Sequence, residues 1–132
     1  MKTNISKIKK IIATFKKKGI RTSLFINPSL TDIKISKDLK TDCVEIHTGR
    51  LSNLIKSKRN YQNELQKIKS CSKYAQSLGL EVHAGHGLDY KTTKFLKKID
   101  AIKEFNIGHF IVGESIFFGL NNVIKNFKKI IK

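Results

Sequence analysis

Tryptophan is absent from the 132 residues, and Pro28 is the one proline. No proline-rich linker divides the chain, and a single domain holds roughly 100 to 200 residues, so the expectation is one domain over residues 1–132. The two cysteines, Cys43 and Cys71, lie far apart with no CxxC pair, which excludes a disulfide framework and a cysteine-based zinc module. Long apolar runs are missing too. Phe105 to Asn122 carries one charged residue, Glu114, but it also holds Asn106, His109, Ser115 and three glycines, which excludes a membrane span. Residues 1–18 mix lysine with isoleucine and lack the apolar run and cleavage site of a secretory leader. A cytoplasmic protein is expected.

Acidic residues are scarce: 10 against 27 basic, for a formal charge of +17. That imbalance raises nucleic acid or an anionic membrane as a partner. Yet only Arg21, Arg50 and Arg59 among the basic residues are arginine, the side chain that grips phosphate and guanine in two-pronged fashion. Lysine with abundant isoleucine and asparagine is the residue set of A- and T-rich codons. The charge is therefore read as a solvated surface, with neither nucleic acid nor membrane as partner.

What is present is an alternation. Ile5, Ile8, Ile12 and Phe15 form one helical stripe that stops at Gly19. Arg21 to Asn27 reads as a strand closed by Asn27 and Pro28, and a weaker helix follows over Thr31 to Leu39. Cys43 to His47 is a second strand, broken by Thr48 and Gly49. Asn60 caps a helix striped by Tyr61, Leu65, Ile68, Ala75 and Leu78, with Gly79 at its stop. Leu80 to Ala84 is a third strand, then a glycine-rich turn and a short helix over Thr92 to Ile99. Glu104 to Ile107 is a fourth strand, followed by a helical segment from Phe110 to Phe118 and a final amphipathic helix. One helix and then four βα units imply a parallel sheet, either doubly wound or part of a (β/α)8 barrel.

In parallel α/β folds chemistry gathers at the carboxyl ends of strands. Four groups stand there: Asn27; Glu45 with His47; His83 with His86; and Asn106 with His109. Glu45 interrupts an apolar strand, where an unpaired carboxylate is costly to bury, so it needs a partner or a task. The alternative is a salt-bridged structural carboxylate. The triplet Gly85, His86, Gly87 follows a strand directly and presents backbone N–H groups and an imidazole together. Gly108 and His109 repeat the device at a helix start, a natural phosphate site. A zinc or iron site built from His47, His83, His86 and His109 does not have the spacing of a compact pair. No P-loop, GxGxxG or Ser/His/Asp triad occurs.

Four stretches carry these residues: RTSLFINPS (Arg21 to Ser29), VEIHTGR (Val44 to Arg50), SLGLEVHAGHGLDY (Ser77 to Tyr90) and EFNIGHFIVGESIFFGL (Glu104 to Leu120). In these motifs, and in their order, the chain resembles the pyridoxine 5′-phosphate synthases. The resemblance implies a TIM (β/α)8 barrel, of which this chain holds the C-terminal half, strands five to eight with the helix that leads into them. It implies condensation of 3-amino-2-oxopropyl phosphate with 1-deoxy-D-xylulose 5-phosphate to pyridoxine 5′-phosphate, phosphate and water, with no metal or organic cofactor. Carried over by motif, Glu45 is the transition-state-stabilising carboxylate and His86 the proton donor. Gly87, Gly108 and His109 hold the phosphate of the amino-ketone. The family usually has asparagine where this chain has His83, and aspartate where it has Asn27. The implied partners are small phosphorylated substrates and either a homo-oligomer or a separately encoded N-terminal half barrel. The alternative is an inactive remnant, or a module that binds phosphate or polyanions.

Overall fold

A computed structural model describes residues 4–132. The elements run α1 (Ile5–Lys17), β1 (Ser23–Ile26), α2 (Leu30–Asp38), β2 (Cys43–His47), α3 (Gly49–Lys56), α4 (Gln62–Ser77), β3 (Glu81–Gly85), α5 (Tyr90–Leu96), β4 (Ile102–Asn106), α6 (His109–Phe118) and α7 (Leu120–Ile131). All strand pairs are parallel, and the sheet keeps chain order β1-β2-β3-β4. A doubly wound sheet reverses its strand order at a switch point; a barrel does not. The unreversed order settles the choice that periodicity leaves open, and the architecture is an α/β half-barrel.

Alternation along each strand sorts its side chains into two faces. Ile26, Val44, Ile46, Val82 and Ala84 point to one side, where they pack with Ile33, Leu51, Ile55, Ile68, Ala75 and Leu96 of the helices. Burying one such side chain is worth about 1.5–3 kcal/mol, so this face holds the sheet and its crossovers together. The intervening residues, Phe25, Glu45, His47, Glu81, His83 and Asn106, form the other face. Phe25 is 54% exposed there.

Helix starts are chemically marked. The Ser29 hydroxyl accepts the Asp32 N–H at 3.3 Å to open α2, and the Asp89 carboxylate accepts the Thr92 N–H at 2.7 Å to open α5. Both helices therefore begin earlier than their apolar stripes indicate. Asn60 accepts the Gln62 N–H at 3.0 Å, close to its expected capping role.

The larger departure is α3. The sequence reading treats Thr48 and Gly49 as the end of regular structure, whereas a two-turn helix begins at Gly49. Its buried Leu51 and Ile55 stand four residues apart on one face, a stripe too short to register as a period. Strand boundaries shift as well. β3 extends through Gly85, and β4 starts at Ile102, where a bulge between Val82 and His83 realigns the pair.

α6 buries none of its residues, and Val112, Ile116 and Phe118 are exposed along with Phe117, at 80%. An aromatic knot anchors its start: the Tyr90 ring lies 4.9 Å from Phe110 and 4.6 Å from Phe127, joining α5, α6 and α7. No helix among the described residues is long and apolar enough to cross a membrane.

Candidate active site

The carboxyl ends of β2, β3 and β4 open on a cavity of about 700 Å³. Glu45, His86, Gly87, Gly108 and His109 all line it, together with Phe25, Lys56, Asn106 and Glu114. The volume falls in the range of roughly 300–1,000 Å³ typical of small-molecule sites.

Glu45 projects from β2 across β3. Its Oε2 accepts a hydrogen bond from Asn106 Nδ2 of β4 at 2.8 Å, so the carboxylate spans three strands. That path exists because residue 85 has no side chain: a Cβ on Gly85 would lie 1.8 Å from Glu45 Oε1. The partner that an intrastrand carboxylate requires is thus Asn106, and the salt-bridged alternative does not hold, since no cation pairs with Glu45 among the described ion pairs.

His86 stands in the turn after β3 with φ at +76°, followed by Gly87 at +74°. A left-handed conformation at a non-glycine residue costs on the order of 1 kcal/mol and needs support from its surroundings. Thr48, fully buried, supplies it. Its hydroxyl lies 2.8 Å from both the Gly85 and the His86 carbonyl oxygens, and its N–H donates to Gly85 at 2.9 Å. The His86 ring stacks on His47 with centroids 4.6 Å apart, and Phe25 leans on both rings. Burial, and then the neighbouring His86, holds His47 below the ordinary histidine value of 6.5. On the far side of this stack a smaller cavity of about 460 Å³ is lined by Arg50, Asn53 and Arg59.

Gly108 and His109 open α6. The first helical bond runs from the Val112 N–H to Gly108, and no side chain caps the end. The N–H groups of the first turn have no intrahelical acceptor and face a site suited to an anion.

Two expected members lie elsewhere. His83 sits inside β3 rather than at its end and is only 7% exposed. Its Nε2 lies 2.8 Å from Glu81 and its Nδ1 3.5 Å from Glu104, and Arg21 reaches Glu81 at 3.1 Å. These contacts, first His83 and then Arg21, hold Glu81 below the ordinary carboxylate value. Asn27 is exposed beyond β1 and does not line the cavity. The four histidines do not converge. Among the described residues the one cluster with metal-donor spacing is Cys43, Glu81 and His83, and there the Arg21 guanidinium already contacts Cys43 Sγ at 3.1 Å and Glu81.

Phe25 and Thr48 escape the sequence reading. Phe25 is legible in retrospect, because the register pairs it with Glu45 and so places it on the same face. Thr48 carries no such signal, since its role is a contact across 37 residues.

Comparison with known proteins shows the family. The family model described as pyridoxal phosphate biosynthesis protein PdxJ matches residues 1–132. A pyridoxine 5′-phosphate synthase of Pelagibacter ubique is 62% identical over 127 residues, covering 96% of this chain and 53% of that protein. Enzymes of the same name from a Sulfurihydrogenibium species and from Zymomonas mobilis are each 42% identical, over 96% and 94% of this chain and 51% and 48% of their own lengths. The chain spans about half the length of the curated relatives it matches. A parallel half-barrel, the strand-end motifs and a family match over every residue give one conclusion: the chain belongs to the PdxJ family of pyridoxal phosphate biosynthesis proteins.

Proposed function

We propose that this chain supplies the C-terminal half of a pyridoxine 5′-phosphate synthase, residues 1–132 forming one domain that completes its barrel with a second half. The reaction is the condensation of 3-amino-2-oxopropyl phosphate with 1-deoxy-D-xylulose 5-phosphate. The observation that carries it is convergence: Glu45, His86, Gly87, Gly108 and His109 come from three separate βα units and line one cavity.

Each group has a task suited to its place. Glu45, anionic, steadies cationic imine-like species as amine and ketone combine. His86 donates a proton to a departing oxygen as general acid. The N–H groups at Gly87 and at the start of α6 bind the phosphate of the amino-ketone, and His109 adds its ring. Lys56 raises the positive potential of the cavity wall. The open polar face of the sheet is where the other half of the barrel docks.

The test is an assay of pyridoxine 5′-phosphate formation from the two substrates, with the chain alone and with a co-expressed N-terminal half barrel, reading oligomer size in parallel. Turnover that needs the added half establishes a two-part barrel; turnover without it establishes a homo-oligomer. A folded chain inactive in both arms overturns the enzyme reading in favour of a remnant or a binding module. A polyanion-binding module would lose its ligand steeply as salt rises, whereas a small phosphate held by backbone amides would be retained.

A further inference from the structure

We infer that Asn106 is a positioning residue that fixes the Glu45 carboxylate and ties it to the phosphate-binding turn, an inference that rests on the activity proposed above. Three features place it in this role. Its Nδ2 donates to Glu45 Oε2 at 2.8 Å, a bond to an ionised acceptor and therefore stronger than a neutral one. The register sets Asn106 directly beside Gly85, so the amide stands at the far end of the channel that the missing side chain leaves. Asn106 also ends β4 two residues before Gly108 and His109, with which it shares the cavity wall.

The geometry removes freedom that glutamate otherwise has. A glutamate on a strand end samples several rotamers; here Gly85 below and Asn106 ahead leave the carboxylate one path across the sheet. Catalytic groups gain from such prior orientation, because the reacting geometry need not be found anew at each turnover. Asn106 holds Glu45 through its side chain, while its own backbone ends β4 and leads into the turn that opens α6. The distance between carboxylate and bound phosphate is thereby set by β4 itself.

The experiment is a double-mutant cycle in the assembled, active enzyme. Asn106→Ala is expected to lower kcat on the order of ten- to a hundredfold while KM changes less than about twofold, the loss matching one hydrogen bond to a charged group. On a Glu45→Ala background, where the acceptor is gone, the same substitution should cost almost nothing further, because residues that act as a unit are not additive. Asn106→Asp, equal in size but with no donor, should lose at least as much as Asn106→Ala. A penalty of equal size on both backgrounds, or wild-type kcat in Asn106→Asp, overturns the inference. A second readout does not need turnover. In the full chain the Asn106 side-chain amide resonances should be exchange-protected and should lose protection in Glu45→Ala, which removes the acceptor. Unchanged protection overturns the positioning role, while its loss in a chain without turnover supports the contact and sinks only the proposed reaction.

Discussion

The two faces of the same four strands behave as different materials. On one, Val44 and Ile46 are fully buried against helices; on the other, Glu45 and His47, their immediate neighbours in sequence, stand in a hydrogen-bonded and stacked array beside a cavity. The first face is redundant in chemistry, since any well-packed set of aliphatic side chains of the right volume would do. The second is specific in chemistry and contributes little packing. Fold and function are therefore separated by one residue of register, and a slip of one would exchange them.

Substitutions on either face should break that comparison or sharpen it. The largest effect belongs to the packed face: Leu51→Ala should cost about 2–5 kcal/mol in denaturant unfolding, a large part of the roughly 5–15 kcal/mol that holds a typical domain. Gly85→Ala acts on the other face. Its methyl group meets Glu45, so turnover should fall about a hundredfold in the assembled enzyme, as a 1 Å misplacement does elsewhere.

Thr48→Val joins the two faces. It removes the hydroxyl donor to the Gly85 and His86 carbonyls and leaves the backbone N–H on Gly85, and unfolding should report a loss of about 1–3 kcal/mol while kcat declines through a loosened His86 turn. Acidification follows. His47 is held below 6.5 in the fold, so the unfolded chain takes the proton first; stability is complete above 6.5 and is lost as pH falls through the folded value. Asp42, held down by the Thr22 backbone N–H, and Glu81, held down by His83, add losses of the same sign at lower pH. In a pH series of denaturation midpoints, His47→Asn should remove the upper step and leave the lower one. The smallest change should come from Phe25→Ala, within about 0.5 kcal/mol of wild-type stability, since the ring is largely exposed. Its cost should appear in kcat, because Phe25 braces the His47 and His86 rings.

The difference between faces also decides what could be read from the chain alone. The helices whose stripes run for three turns or more, and the strands rich in valine and isoleucine, are visible because packing imposes a period. α3 is not, being two turns long and opening on a glycine beneath two imidazoles. The cavity residues Glu45, His86 and His109 were legible as polar interruptions at strand ends. His83 reads the same and stands instead between Glu81 and Glu104 inside the strand, because one residue of strand length decides whether a histidine is at the rim or inside. The sheet order, which makes the fold a half-barrel, has no local signature. It depends on which strands pair, and that is a property of contacts distant in sequence.

The carboxylate that lies over Gly85 makes positions 45 and 85 a single unit of inheritance. While glutamate occupies 45, every side chain at 85 collides with it; once 45 is shortened, 85 is released from that collision but the carboxylate is gone. A path through sequence space that alters both must pass through a variant that has lost either the charge or the room for it. The glycine is thus as much a part of the acid as its own carbon atoms, although it contributes no atom to the chemistry.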